Sequence, residues 1–253
     1  MNNKKTLDEK RRIEIDFWRD DFDENPESTS VNNILNKAQQ GLVFLSALEL
    51  LSAERPCFES AKDVLELGGG QGWASCILKR RFPHLSVIGS DISEFAIQSQ
   101  FKWEHIFNVK LDGSAVCTSD DLPFEKNSFD VAFAFAAAHH FVVHRETLIE
   151  CSRVLRPGGS LIYLYEPVTP KAFYRIAKWR VNRKRPEVPE DVLVPADLAA
   201  YASQIGFDYK IIYFPDIASS GLVETLYYFV LGKITFLNRL LPSTAIIVFT
   251  KQR

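Results

Sequence analysis

Glycine residues after a short apolar run are the part of this chain whose types and spacing most clearly predict chemistry. The run at residues 64–67 holds one acid, Glu66, and is typical of a buried parallel strand. Glycine has no Cβ, so the loop that follows can turn sharply and lie against a ligand. Residues 73–82 predict a helix whose free N–H groups face the same ligand. Together they predict a site for a small adenosine-bearing molecule. The loop glycines are Gly68, Gly69, Gly70 and Gly72.

The spacing of these glycines distinguishes between classes of cofactor. A nicotinamide or flavin site needs G-x-G-x-x-G/A. Counting from Gly68 puts Trp73 at the last position, and counting from Gly70 puts Ser75 there. The chain instead reads acid-x-G-x-G-x-G over residues 66–72, which resembles the first motif of the class I S-adenosylmethionine-dependent methyltransferases. The resemblance implies S-adenosylmethionine as the cofactor, and an acid at the strand end suits a cationic ligand.

A carboxylate at the end of the second predicted strand supports the adenosine site. Residues 86–91 read as that strand and end in Asp91, about 20 residues past the glycine loop, where an acid can accept both ribose hydroxyls. Ile92 would pack on the adenine face. Nicotinamide binders share this acid, so it does not separate the two classes. The alternative role for Asp91 is to cap a helix that begins at Ser93, and we favour the ribose role.

Further segments extend the resemblance along the chain. A Leu-Pro-Phe segment at 122–124 and Ser-Phe-Asp at 128–130 precede an apolar strand, as in the small-molecule branch of the family. Arg-Val-Leu-Arg-Pro-Gly-Gly-Ser at 153–160 reads as a helix end that leads into strand five. The resemblance is strong over residues 60–167. It implies an α/β fold with a doubly wound, seven-stranded, mostly parallel sheet, similar to the Rossmann fold.

One departure from the family pattern concerns the adenine. The resemblance implies an aspartate four residues before the Leu-Pro-Phe segment, where it binds the adenine amino group, and this chain has Thr118 there. We expect strand three over residues 115–118, with Ser119 or Asp120 facing the adenine. The alternative is an earlier strand followed by Asp112.

Two histidines at the end of strand four are the candidates for the reaction itself. Ala136 begins a run of small residues that suits a wall against the methionine part of the cofactor, and His139 and His140 follow at the rim. A sulfonium is already a strong electrophile, so positioning the acceptor can supply roughly 7–11 kcal/mol of the barrier. A hydroxyl acceptor also benefits from a base, which either histidine or Glu166, at the end of strand five, could provide. The alternative is that the histidines only cap the strand or shape the pocket.

Composition bounds the remaining possibilities. The chain has 253 residues and a formal net charge of −2, so one domain with additions is expected and a surface for polyanions is not. No Asn-Pro-Pro-Tyr-type motif follows strand four, which argues against nucleic acid as the substrate. The cysteines show no C-x-x-C spacing, so we predict no metal site and no disulfide, and a reducing, cytoplasmic location. The cysteines are Cys57, Cys76, Cys117 and Cys151.

The chain divides into an N-terminal helical cap, residues 1–60, and a methyltransferase domain, residues 61–253. The cap contains amphipathic helices predicted over 8–20 and 33–54. The first is expected to turn Ile13, Phe17 and Trp18 inward, and the apolar stripe of the second is Leu35, Leu42, Phe44, Leu45 and Leu48. The cap either covers the substrate side of the sheet or simply packs against it.

Two additions to the domain are less usual for the family. Residues 171–185 are rich in lysine and arginine with interleaved aromatics, a pattern that fits an anionic membrane surface, a phosphate group or a plain solvated helix. Residues 217–242 form an apolar, helical insertion before the last strand. We rank its roles as a lid over the site, then a contact with a membrane surface, then the interface of a homodimer.

The sequence therefore predicts a methyltransferase that acts on an oxygen of a small molecule, sugar or lipid-linked glycan. Residues 14–18 resemble methyltransferases of bacterial polysaccharide biosynthesis. If the membrane contact exists, the enzyme lies at the inner membrane face. The alternatives are an interaction module that binds the cofactor without catalysis, and a nicotinamide-dependent oxidoreductase.

Overall fold

The computed structural model describes residues 2–26, 28, 30–184, 190–215 and 222–253, with the side chains of 2–7 and 184 omitted. Arg185 of the predicted basic segment and residues 217–221 of the predicted insertion lie outside these ranges, as does Met1 of the cap.

The chain begins with two helices, α1 (Asn2–Asp20) and α2 (Val31–Glu54). The hydroxyl of Ser30 caps α2 by accepting a hydrogen bond from the backbone N–H of Asn33. Alternating strands and helices follow. These are β1 (Asp63–Leu67), α3 (Trp73–Arg81), β2 (Ser86–Asp91), α4 (Glu94–Gln98), α5 (Gln100–Phe107), β3 (Gly113–Val116), β4 (Phe129–Phe135), α6 (His144–Val154), β5 (Leu155–Val168), α7 (Tyr174–Lys184), α8 (Pro195–Ile205), β6 (Phe207–Tyr213), α9 (Leu222–Lys233) and β7 (Ser243–Lys251).

The strands form one seven-stranded sheet in the order β3-β2-β1-β4-β5-β7-β6. All neighbours are parallel except β7, which runs antiparallel to β5 and to β6. The predicted α/β, doubly wound, mostly parallel sheet is therefore confirmed. The chain first builds outward from β1 to β3 and then returns to β4, so the strand order reverses between β1 and β4. Such a reversal opens a crevice at the carboxyl ends of the strands.

Each face of the sheet is covered by helices. On one face, α2 and α3 pack on side chains of β1, β4 and β5, and on the other face α6 and α8 pack on the alternate side chains. Phe44 of α2 is fully buried against Trp73, Phe133 and Phe135. The second N-terminal helix is therefore a layer of the core rather than a separate cap.

Two expectations about local structure are wrong. Leu35 and Leu42 are 61% and 69% exposed, because they lie nearly half a turn from the buried face of α2. That face includes Phe44 and Leu48 of the predicted stripe and also Leu51. Asp112 does not reach the crevice. It precedes β3 and accepts hydrogen bonds from the Val87 N–H and the Lys79 ammonium, at the edge of the sheet opposite the carboxyl ends.

One strand is bent where it approaches the crevice. The register between β5 and β7 shifts between Tyr163 and Glu166. Tyr165, at the shift, has a φ of +60°, which is a strained conformation for an aromatic residue. The bulge turns the Glu166 side chain toward the segment after β4.

The insertion before β7 is weakly packed. Leu231 is the buried residue of α9, and Asn238 is the buried residue of the short 3₁₀ helix Thr235–Arg239 that follows. Most of the other apolar side chains of these two helices face solvent. No helix among the described residues combines the length and apolarity that crossing a membrane requires.

The packing of α2 makes a direct prediction for stability. We expect Phe44→Ala to lower the free energy of unfolding by about 3–5 kcal/mol, because it empties a site shared by three other aromatic rings. The matched control on the same helix is Leu42→Ala, which should change the free energy of unfolding by less than about 0.5 kcal/mol. Urea unfolding followed by circular dichroism measures both. Equal effects of the two substitutions would contradict this packing.

Candidate active site

A cavity of about 830 Å³ occupies the crevice at the carboxyl ends of β1, β2 and β4. Its floor is formed by the glycine loop, the end of β2, the segment after β3 and the segment after β4. Residues of α2, of the turn at 21–24 and of the segment 190–191 also line it, and α1 lies against the loop and the histidines. The cavity-lining residues of α1 include Lys10, Arg11, Glu14, Phe17 and Trp18.

The glycine loop has the backbone conformation that the sequence predicts. Gly68 and Gly70 line the cavity with φ values of +62° and +54°, where side chains with a Cβ are strained. A Cβ on Gly69 would lie 2.8 Å from the Glu66 carboxyl group, so this position is also sterically closed. Gly72, with φ of +79°, does not line the cavity and instead turns the chain into α3.

Asp91 ends β2 and ties the loop to it. One carboxylate oxygen accepts a hydrogen bond from the Gly70 N–H at 2.8 Å, and the other accepts one from the Ser93 N–H at 2.9 Å. Ser93, rather than Asp91, caps α4 through its hydroxyl. Burial raises the pKa of Asp91 to about 6 against these hydrogen bonds, so the group is largely ionised at neutral pH. Each oxygen keeps a lone pair for another donor.

Glu66 lies behind the loop and is almost fully buried. It accepts hydrogen bonds from the Ser75 N–H and the Ser75 hydroxyl. Burial raises the pKa of Glu66 to about 8, and the Asp91 charge adds to the increase. The side chain of Glu66, which the sequence predicts as an anion, is therefore largely neutral at pH 7.

The residues that the sequence predicts to face the adenine line the cavity, and the two polar ones already have partners. Ile92, Ser119 and Asp120 all line the cavity. The Ser119 hydroxyl lies 2.9 Å from that of Thr147, and one Arg11 nitrogen donates to both Asp120 oxygens at 2.6 and 2.7 Å.

The two histidines stand at the other end of the cavity, on the short 3₁₀ helix Ala138–His140. Glu166, which is fully buried, holds this turn in place. Its carboxylate accepts hydrogen bonds from the N–H groups of Ala137, Ala138 and His139, at 2.9, 2.8 and 3.1 Å. It also lies 2.9 Å from Nδ1 of the His139 ring. Glu166 does not itself line the cavity, so its place is to position His139.

Ala136 and His140 line the same part of the cavity as His139. Ala136 lines the cavity with a φ of +47°, and its N–H donates to the Leu164 carbonyl at 2.9 Å. His140 Nδ1 lies 2.8 Å from a carboxylate oxygen of Glu14. Burial lowers the pKa of His140, but the nearby carboxylates, Glu14 first among them, outweigh it and the net pKa is raised.

Covering of the substrate side by the N-terminal helices was left open by the sequence, which named no contact through which α1 reaches the site. Arg11 contacts the adenine side, Glu14 contacts His140, and Trp18 lies so close to Gly70 that an added Cβ would be 2.9 Å from its ring. The only sequence signal was the amphipathic period of the helix. The lid was expected instead from residues 217–242, and that expectation is wrong for residues 222–242, none of which lines the cavity.

Comparisons with known proteins agree with this geometry. A family model described as a methyltransferase domain matches residues 65–163. The demethylmenaquinone methyltransferase of Thermus thermophilus is 31% identical over 176 residues, covering 60% of this chain and 77% of that protein. The fatty-acid O-methyltransferase of Mycolicibacterium smegmatis is 32% identical over 119 residues, covering 47% of this chain and 40% of that protein.

The coverage of other relatives is partial, and the structural similarity concerns the fold. The chain spans less than half the length of several of the curated relatives it matches. The YcgJ protein of Bacillus subtilis superposes with a TM-score of 0.62 at 18% identity, covering 82% of this chain and 99% of that one.

The buried carboxyl group of Glu66 predicts a pH dependence of stability. A pKa raised from about 4.5 to about 8 means that the folded state holds a proton that the unfolded chain releases. The stabilisation is complete below the unfolded pKa and is lost as the pH rises through the folded one, by at most about 1.4 kcal/mol per pH unit. We expect Glu66→Gln to remove this part of the slope of unfolding free energy against pH.

The matched control is Glu125→Gln, in an exposed loop, which should leave the slope unchanged. Denaturant unfolding between about pH 5 and pH 9 measures it for all three proteins. A slope in Glu66→Gln equal to that of the unsubstituted protein would show that Glu66 is not protonated in the fold.

Proposed function

The chain belongs to the class I S-adenosylmethionine-dependent methyltransferases, and on that premise we propose that it transfers a methyl group to an oxygen atom of an amphiphilic acceptor. The observation that carries the proposal is the cavity itself. Its walls include both the glycine loop with Asp91 and the histidine pair, whose turn is held by Glu166. A nicotinamide-dependent oxidoreductase is no longer an alternative.

The cofactor lies with its ribose at Asp91. The lone pair that remains on each carboxylate oxygen accepts one ribose hydroxyl, while the Gly70 and Ser93 N–H groups keep the carboxylate in place. The adenine packs on Ile92, with Ser119 or Asp120 toward its amino group. Gly68, Gly69 and Ala136 would border the methionine part of the cofactor.

Methyl transfer breaks the carbon–sulfur bond of the sulfonium and forms a carbon–oxygen bond to the acceptor. Sulfur keeps the electron pair, and a hydroxyl acceptor loses its proton. His139 and His140 stand where that proton leaves. Glu166 accepts the Nδ1 hydrogen of His139, so the other ring nitrogen carries a lone pair. The histidine pair assists loss of the proton, and Glu166 is a positioning residue.

An exposed apolar surface with a basic border supports an amphiphilic acceptor. Helices α7 and α9 are joined by an ion pair between Arg180 and Glu224 at 2.5 Å. Arg175, Arg180 and Arg183 are exposed on α7. We call the exposed side chains of α7, of α9 and of the segments next to them the α7–α9 surface. Its exposed apolar side chains are Phe173, Ile176, Trp179, Leu222, Val223, Leu226, Phe229, Val230, Ile234, Phe236 and Leu240.

Such a surface suits an anionic membrane, because apolar side chains enter the interface while arginines meet the headgroups. The enzyme would then take an acceptor from the inner membrane face. A relative named for a fatty acid supports a lipid-like acceptor. A lipid-linked glycan of polysaccharide biosynthesis has the same amphiphilic chemistry. A homodimer through this surface is the competing arrangement.

The role of Asp91 predicts the outcome of a binding measurement. Isothermal titration calorimetry should detect binding of S-adenosylmethionine and of S-adenosylhomocysteine. Asp91→Asn should weaken the binding of both by about 10–100-fold, because hydrogen bonds to a charged acceptor are each worth about 1.5–3 kcal/mol. The matched control is Asp208→Asn, on the exposed side of β6, which should bind as the unsubstituted protein does. Binding of NAD with no binding of either sulfur compound would contradict the proposal.

Transfer itself is tested with methyl-labelled S-adenosylmethionine. Acceptors offered in parallel should be a fatty acid, a demethylmenaquinone and an isoprenoid-linked sugar. We expect label in the organic phase as an O-methyl product. Cofactor binding without label in any acceptor would favour the non-catalytic interaction module.

The α7–α9 surface predicts membrane binding. Co-sedimentation with vesicles that contain phosphatidylglycerol should exceed that with neutral vesicles and fall at high salt. Trp179→Asp should weaken it about tenfold, because an apolar contact is replaced by a repelled charge. The control is Phe101→Asp, 68% exposed on α5 at the other end of the sheet, which should have little effect. Equal binding of all vesicles, or a dimer broken by Trp179→Asp, would overturn the membrane contact.

A further inference from the structure

A group of metal-ligand side chains lies at the acceptor end of the cavity. We propose that His139, His140 and Glu190 bind a divalent transition-metal ion there. The inference rests on the proposed function, because the ion would act on the acceptor oxygen that is methylated beside it. It specifies how the histidine pair assists loss of the acceptor proton.

The geometry of the three side chains suits such an ion. Each can offer one ligand atom, and these atoms all lie within 4.8 Å of one another. Bonds of about 2.1 Å in a tetrahedral site place ligand atoms roughly 3.4 Å apart. A movement of roughly 1 Å by half-buried side chains therefore closes the site. All three residues line the cavity, so the remaining coordination positions face the acceptor.

The backbone brings Glu190 to the histidines. The N–H of Asp191 donates to the His139 carbonyl at 3.2 Å, which fixes the segment beside the 3₁₀ helix. Asn182 adds two hydrogen bonds, because its side chain accepts from the Glu190 N–H and donates to the Glu190 carbonyl. Glu190 is thus held from both sides by residues far apart in sequence.

The contacts of Glu166 support the metal site independently of the distances between the ligand atoms. Metal-binding histidines generally donate their other ring N–H to a carboxylate, which fixes the ring and makes its free nitrogen a better ligand. The His139 Nδ1 lies 2.9 Å from the Glu166 carboxylate, and three backbone N–H groups immobilise that carboxylate. His139 is therefore already oriented as a ligand before any ion arrives.

Glu14 and Glu190 place negative charge beside the histidine pair, and His140 is the partner that the structure gives Glu14. Among the described residues, no lysine or arginine forms an ion pair with Glu14 or Glu190, whereas Asp191 is paired with Lys178. His140 Nδ1 is buried and makes no well-aligned hydrogen bond, although a Glu14 oxygen lies 2.8 Å away. A divalent cation would balance both carboxylates and supply a partner for this histidine.

The donor set indicates the kind of ion and its effect. Two imidazoles and one carboxylate suit Zn²⁺, Fe²⁺, Co²⁺ or Mn²⁺ better than Mg²⁺, which prefers oxygen ligands. A hydroxyl oxygen bound to the ion loses its proton more readily. The acceptor class is therefore an alcohol, phenol or enol whose oxygen reaches the ion while it faces the methyl group.

Cobalt titration tests the site without any turnover. Untagged protein, stripped with a chelator and free of cofactor, should bind one Co²⁺ with a visible absorption band, and Zn²⁺ should displace it. His140→Ala and Glu190→Gln should weaken binding at least tenfold, and Glu166→Gln by about 10–100-fold. The controls are His84→Ala and His105→Ala, exposed histidines elsewhere, which should bind as the unsubstituted protein does.

Absence of the band, or equal affinity in all variants whose circular dichroism shows them folded, would overturn the metal site. S-adenosylmethionine binding measured on the same samples tests the proposed function separately. Cofactor binding without cobalt binding would leave the methyltransferase proposal in place, with a histidine acting directly as the base.

Discussion

A single buried carboxylate, that of Glu166, determines the shape of the reactive end of this protein. It is fully removed from water and therefore needs several hydrogen-bond donors, which it finds in three consecutive N–H groups after β4 and in the ring of His139. The bulge in β5, with Tyr165 in the left-handed region, aims it there. The hydrogen bonds of Glu166 thus stabilise the turn that carries both histidines and offset the strain at Tyr165.

Two other buried acids, Glu66 and Asp91, lie at the glycine loop and have fewer hydrogen-bond donors. Glu66 has only the N–H and hydroxyl of Ser75, and Asp91 has two backbone N–H groups. Burial therefore raises both pKa values, more for Glu66 than for Asp91. A cationic cofactor entering such a cavity favours ionisation of the acids around it, so cofactor binding and proton release are coupled.

The elements predicted correctly from sequence are those encoded locally. The glycine loop, the carboxylate at the end of β2 and the strand pattern depend on residues within a few positions of one another, and the family resemblance adds their order. The contributions of α1 depend on contacts such as that between Arg11 and Asp120, which are 109 residues apart. Helical periodicity shows that a helix has a buried face, but not what it faces. Leu42 is a different case, because at 3.6 residues per turn it lies nearly opposite Phe44 on α2 and therefore points to solvent.

Helix α1 touches both ends of the cavity at once, through Arg11 at Asp120, Trp18 at Gly70 and Glu14 at His140. If the donor enters beneath this helix, α1 must move before the donor binds, and the same movement releases its contact with His140 beside the proposed acceptor. Catalysis should accordingly follow a compulsory order, in which the donor binds first and the spent donor leaves last. The rate at which α1 opens, and not the chemical step, would then limit turnover.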